Sequence, residues 1–292
     1  MKSTKTLILL LVTLNLSGCN SAESRQVTTA SGRSVTQVEE TQSAPGRATG
    51  KVTMPDGSPL TGDIRDISIT IHGVSDAGER VSYSPAVKNG AYNQKLVPGQ
   101  FRFENCRITV GFQGTKFTFP LVPVGSNWNK DQDAADGIEQ DFVWMPTGQA
   151  ETYGAKPDPN NHTHWYGLNI GMKFNIYRED LKQASIVPAE GTKLVFTLTP
   201  TSKSIDGKDL EPLTIEREWR LKGGTRNDDL NDLPIATYEI TGVAQGQDGS
   251  TKTILFQGPG DYPNHTAKGT VKVEFDNILG GLAKPPFGWV IE

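Results

Sequence analysis

Apolar residues recur at every second position through much of the chain. Ile67, Ile69 and Ile71 alternate with Ser68 and Thr70, and Phe101 and Phe103 alternate with Arg102 and Glu104. Phe117, Phe119 and Leu121 flank Thr118 and Pro120. Leu194, Phe196 and Leu198 repeat the pattern, and Val271, Val273 and Phe275 oppose Lys272 and Glu274. A period of two puts such residues on one face of a β-strand. Leu213, Ile215, Trp219 and Leu221 share one face of a further strand, with Thr214, Glu216, Glu218 and Arg220 on the other. Pro55-Asp56-Gly57, Asn89-Gly90, Asp206-Gly207 and Asp248-Gly249 supply turn signals between the runs. One stretch, around Arg178 to Ala184, predicts about two turns of helix. Many short one-sided strands between such turns predict an all-β protein of antiparallel sandwiches.

Composition narrows the class. At about 100–200 residues per domain, 292 residues suggest two domains. Lys plus Arg total 29 against 33 for Asp plus Glu, a formal charge of −4, with pI near 5.7. Nucleic-acid binders carry a basic stripe or a strongly basic pI, so that partner class is set aside. At 35% hydrophobic residues the chain supports a packed core but not a membrane bundle.

Lys2 and Lys5 precede an apolar stretch, Thr6 to Leu16, interrupted by Thr13 and Asn15. It is too short to span a bilayer, which takes about 20 apolar residues, and it reads as the core of a secretory signal. Leu16-Ser17-Gly18-Cys19 resembles a bacterial lipobox. The resemblance implies cleavage after residue 18 and a lipid on Cys19, which makes the membrane a partner through that anchor. Asn20 is not the Asp that in such families retains a lipoprotein at the inner membrane, so the implied place is the cell envelope at the outer membrane. Removing Lys2 and Lys5 leaves 27 positive residues against 33 negative. Residues 19–45 are rich in Ser, Thr, Gln and Glu, with no aromatic and only Val27, Val35 and Val38 as β-branched apolar residues. They predict a flexible tether, since such a segment buries too little to offset its ordering. With Cys19 lipidated, Cys106 is left without a disulfide partner and reads as a small buried hydrophobe.

Gly50 to Leu60, Asn89-Gly90-Ala91-Tyr92 and Leu96-Val97-Pro98-Gly99-Gln100-Phe101 together resemble a carboxypeptidase regulatory-like domain. That family implies a transthyretin-like sandwich of about seven strands, here over residues 46–125. A weaker echo follows about 130 residues downstream: Leu194 to Leu198 resembles Ile67 to Ile71, Leu233 to Tyr238 resembles Leu96 to Phe101, and Ser250 to Phe256 resembles Thr115 to Leu121. It departs at Ile235-Ala236, where the first copy has Gly99. One or two tandem sandwiches are therefore expected, the second over 167–292, joined by a connecting region at 126–166.

Candidate chemistry is sparse. On an extended segment His162 and His164 share a face, as a zinc pair needs, with Asp158 the nearest third ligand. Asp131, Asp133 and Asp136 suggest calcium, but the third Asp and Gly137 fall one position late for an EF-hand loop. No nucleophile elbow, zincin helix, Walker loop or dinucleotide fingerprint is present in the sequence. Trp128, Trp165 and Tyr166 lie in polar surroundings where aromatics can stack on sugars. The leading expectation is a lipid-anchored, non-enzymatic structural or interaction module of the cell envelope, meeting another envelope protein. The alternatives are a carbohydrate-binding module using those three aromatics and, third, an unrecognised enzyme or metal-binding protein.

Cys19→Ala is expected to abolish fatty-acid labelling and to leave the protein as an uncleaved precursor or in the soluble fraction. Equal labelling of wild type and variant would exclude Cys19 as the acceptor.

Overall fold

The computed structural model describes residues 44–150, 165–175, 177–178, 181–220, 229–258, 263–273 and 282–292. The first set of strands is β1 (Arg47–Thr53), β2 (Asp63–Ser75), β3 (Arg80–Tyr83), β4 (Ala91–Lys95), β5 (Gly99–Phe112), β6 (Thr115–Pro120), β7 (Val122–Pro123), β8 (Gln132–Asp133), β9 (Ile138–Glu139) and β10 (Phe142–Val143). They form two sheets. One has the order β4-β1-β10-β7 with β9 beside β1; the other has β3-β2-β5-β6 with β8 beside β5. The alternation in the sequence decides which faces meet. Ile69, Ile71, Phe101 and Phe103 are buried, while Arg102 points outward. Phe103 of one sheet lies 5.6 Å from Phe142 and 6.2 Å from Tyr92 of the other, both edge-on, as aromatic pairs prefer.

The second set is β11 (Leu168–Phe174), β12 (Tyr177–Arg178), β13 (Gln183–Ala184), β14 (Lys193–Pro200), β15 (Leu213–Glu218), β16 (Leu230–Leu233), β17 (Tyr238–Gln245), β18 (Thr251–Gln257), β19 (Gly269–Val271) and β20 (Leu282–Ile291). Its pairing repeats the first. β15-β14-β17-β18 runs in the order of β3-β2-β5-β6, and β19 pairs the start of β17 as β8 pairs the start of β5. β11 is antiparallel to β16 and parallel to β20, as β1 is antiparallel to β4 and parallel to β10. The difference lies in β18. Thr251 to Thr253 pair with β17 and Ile254 to Gln257 with β20, so one strand links both faces into a nearly closed eight-stranded sheet. In the first set the same path is broken at Leu121, between β6 and β7. Residues from Ser43 onward form one compact unit, in which the Gln113 side chain donates to Thr237 Oγ1 at 2.7 Å.

The predicted helix around Arg178 to Ala184 is instead a hairpin, with Tyr177 opposite Ala184 and Arg178 opposite Gln183. Lys182 takes a positive φ of 52°. A two-turn helix persists only by burying an apolar face, and Leu181 stays 52% exposed. Among the described residues the helical turn is a 3-10 segment, Ala134–Asp136.

The predicted turns are of two kinds. Asn89 and Gly90 both take positive φ (51° and 77°), the two-residue hairpin turn that matches strand twist, with Lys88 and Ala91 exchanging backbone bonds at 2.8 and 2.9 Å. Gly249 (φ 79°) instead ends a three-residue loop whose N–H donates to the Gly246 carbonyl at 3.0 Å. A Cβ at Gly249 meets nothing within 4 Å, whereas one at Gly90 lies 2.9 Å from the Val52 carbonyl oxygen. Val at either position is therefore expected to destabilise by about 1–3 kcal/mol. Asn, which tolerates the left-handed region, should recover most of that loss at Gly249 and less at Gly90. Urea unfolding of the four variants measures it, and a silent Gly90→Val would show that turn to be misassigned.

Candidate functional site

β2 is thirteen residues long and β3 only four. β3 pairs with Ile71 to Val74, whereas β5 accompanies β2 along its whole length. From Asp63 to Thr70 one edge of β2 therefore has no strand beside it among the described residues. The reason is local: Pro85 follows β3 by two residues, and a proline has no N–H with which to continue the ladder. Ser84 to Val87 turn aside and become a wall. Between that wall, β2 and the end of β1 lies an open groove of about 1090 Å³.

Its floor is apolar. Val52 and Ile69 belong to the core, and Leu60, Ile64, Ile67 and Val87 pack half-buried against it. Lys51, Arg65 and Asp66 stand exposed at the rim. The register of β2 against β5 shifts at Ile64/Asp66 and again at Ser68/Thr70. Arg65 is tied to Asp63 at 2.5 Å. Bulges and edge charges of this kind discourage broad sheet-to-sheet association.

A second, shallower basin of about 530 Å³ lies on the outer face of β3-β2-β5. The Arg102 guanidinium donates to Glu104 at 2.7 Å and lies 3.6 Å from Asp131, while His72 lies 3.9 Å from Glu104. The Glu104 hydrogen bond and charge, with Asp131 behind them, raise the Arg102 pKa further. The two Arg102 contacts are solvent-facing ion pairs, a class that contributes little to stability.

The described residues among those singled out in the sequence lie apart from the groove. Asp131 faces Arg102. Asp133 caps the 3-10 turn by accepting from the Ala135 N–H at 2.8 Å, and also accepts from the Gln100 side chain at 3.0 Å. Asp136 is exposed within that turn. No group of three or more His, Cys, Asp or Glu among the described residues is arranged to hold a metal ion. His162, His164 and Asp158 lie outside the described residues, as does Cys19. Trp128 is half-buried, and its carbonyl accepts from the Phe103 N–H at 2.9 Å. Trp165 and Tyr166 are half-buried at the foot of the connecting region, where Trp165 bridges Gln149 and the Tyr166 N–H donates to the Gly148 carbonyl at 2.9 Å. None of the three aromatics lines the groove or the basin. Cys106 is free and half-buried, and burial pushes its thiol up to about 11, which keeps it protonated and unreactive at neutral pH.

Sequence reading missed the groove itself. Its one signal was a four-residue strand stopped by Pro85, opposite a much longer run.

The foot of the connecting region is held by Asp232. It sits in β16 at a positive φ of 60° and accepts the Gly148 N–H at 2.6 Å. Burial holds its carboxyl above the ordinary value of 3.8, against the opposing effect of the N–H donors of Gly148 and Gly167. A carboxyl raised in the folded state favours folding below the unfolded pKa and loses that contribution as pH rises through the folded one. Asp232→Asn keeps the acceptor and tolerates the positive φ. It is expected to match or exceed wild-type stability at pH 7, with the difference shrinking as pH falls towards about 4. Urea midpoints across that range measure it, and a difference independent of pH would show that the carboxyl is not perturbed.

No protein-family model matches the chain. No curated protein matches it either. Among solved structures, a DUF3823 family protein from Bacteroides uniformis is 12% identical over 79% of this chain and 100% of that chain, with a TM-score of 0.21. At that score the likeness carries no argument about fold or function.

Proposed function

We propose that this chain is a non-enzymatic interaction module of the cell envelope, anchored by lipid on Cys19. Its contact surface is the groove beside β2, and the partner it takes there is an extended polypeptide segment. One observation carries the reading. An unpaired strand edge, Asp63 to Thr70, borders a recess with an apolar floor. An extended segment laid there would hydrogen-bond to the edge and set alternate side chains on Leu60, Ile64 and Ile67, the mode of strand addition. The resemblance to carboxypeptidase regulatory-like domains belongs to the same reading. Its three segments supply β1 with its following turn, the turn before β4, and the Pro98-Gly99 step into β5. The first two of those segments line the groove, through Lys51 to Thr53, Leu60 and Asn89 to Ala91. The lipobox and Asn20 support placement at the outer membrane.

A photo-crosslinking side chain at Leu60 or Ser68 of the full-length lipoprotein, in its own envelope, tests the proposal. One discrete adduct with another polypeptide is expected from both positions and none from Thr118, which is exposed on β6. No adduct, or the same pattern from Thr118, would overturn it.

A further inference from the structure

Part of the groove is lined by the loop between β1 and β2, through Gly57, Pro59 and Leu60. One end of that loop is held within the first half. The Met54 N–H donates to the Ser58 carbonyl at 2.9 Å, and the Ser58 N–H to the Asp56 carboxylate at 3.0 Å. The other end meets the second half. Gly62 takes a φ of 90°, and a Cβ there would lie 2.5 Å from the Ile205 carbonyl oxygen and 3.2 Å from the Asp206 Cα. Backbone meets backbone at this point, so no side-chain rotation can make room for a larger residue.

The surface that Gly62 meets is fixed from within. Ile205 is buried in the core, and its N–H donates to the Ile235 carbonyl at 2.8 Å. Asp206 is a buried carboxylate that accepts from the Ser204 hydroxyl and lies 2.8 Å from Lys208 Nζ. A charge persists in such a place only when it is paired. The Asp206 hydrogen bond and charge raise the Lys208 pKa, and Asp56 of the β1–β2 loop adds to the effect. A second tie between the halves ends on the same loop: Thr237, which accepts from Gln113, donates its N–H to the Ser202 hydroxyl at 3.1 Å.

We propose that the Ser204–Lys208 turn of the second half braces one wall of the groove, with Gly62, Asp206 and Lys208 as positioning residues for a segment bound beside β2. The inference rests on the groove reading and names what holds that site in shape. Only Thr61 separates Gly62 from Leu60, and Pro59 before it has its φ fixed by its ring. A displacement at Gly62 therefore moves Leu60. Ser68, paired with Arg107 of β5, lines the same groove without touching the brace.

The test compares photo-crosslinking from Leu60 with that from Ser68, in the full-length lipoprotein in its own envelope. Gly62→Ala is expected to lower the ratio of Leu60 to Ser68 adduct about tenfold, the factor that ~1.4 kcal/mol of lost contact gives. Asp206→Ala, which strips Lys208 and Ser204 of their partner, should lower it in the same direction, and it decides the matter should Gly62→Ala not fold. Asp206→Asn, which keeps an acceptor for Ser204, should lower it less. Gly114→Ala is the control for backbone strain alone, since its φ is 80° and its Cβ would meet nothing within 4 Å. General loosening of the fold lowers both adducts alike, so an unchanged ratio in Gly62→Ala and Asp206→Ala overturns the proposal. An equal fall in Gly114→Ala does the same. If the wild-type chain gives no adduct at all, the groove reading fails, and amide exchange over residues 55–62 of the purified protein still decides the brace. Faster exchange in Gly62→Ala and Asp206→Ala but not in Gly114→Ala supports it, and unaltered exchange overturns it.

Discussion

Each half of the body is closed by a parallel contact between its first strand and its last. Val52 of β1 pairs with Phe142 of β10, and Phe174 of β11 pairs with Trp289 of β20. Parallel neighbours cannot be joined by a tight turn. The chain must leave β1, build the opposing strands β2, β3, β5, β6 and β8, and return, so in the first half this pairing closes the sheet only after its facing sheet is made. The returning strand also delivers the aromatic that fills the gap. Phe142 and Trp289 are both buried, against Phe103 in the first half and against Phe174, Phe196 and Trp219 in the second.

The closing contact is interrupted at the same place in both halves. In the first, the pairing passes from β9 to β10 across Gln140 and Asp141, next to Gly50. A Cβ at Gly50 would lie 1.9 Å from the Gln140 carbonyl oxygen, so only glycine allows this approach. The buried Gln140 side chain then satisfies the carbonyls of Val124 and Asp141 at 2.9 and 2.7 Å, and the Tyr92 hydroxyl donates to the Gln140 carbonyl at 2.6 Å. In the second half the register shifts between Ile170 and Met172, at Gly171, where β20 carries Pro285 and Pro286. Prolines are tolerated in a sheet at such a shift, because the ladder has already lost a bond there.

That arrangement explains what the sequence made legible. Alternation in Ile67–Ile71, Phe101–Phe103 and Leu194–Leu198 marked strands whose one face is buried, and the Asn-Gly and Asp-Gly steps marked their turns, because both signals are local. The closing strands gave little local signal. β10 is two residues long and β20 contains two prolines, and the parallel partner of each lies far away in the chain, at Val52 for Phe142 and at Phe174 for Trp289. The Arg178 to Ala184 stretch was read as helix because its spacing contained no record of whether Leu181 would find a core. Asp131, Asp133 and Asp136 looked alike in the sequence, yet one pairs with Arg102, one caps a turn and one is exposed. Tertiary partners made that difference. The groove was the least legible feature, since it consists of a strand that is missing.

The comparison between the halves gives that missing strand its meaning. β15 pairs with β14 over six consecutive residues, Lys193 to Leu198, so the edge equivalent to that of β2 is covered in the second half. β3 covers only four residues of β2. The shared pairing scheme therefore does not require an open edge. It arises in one half alone, through a short strand stopped at Pro85, and that half has closed the edge neither with a longer strand nor with the core. An uncovered edge is a hazard for any β protein. Here it is kept apart from other sheets by two bulges, the Arg65–Asp63 pair and the Ser84–Val87 wall. Those devices narrow what can approach the edge without filling the space beside it.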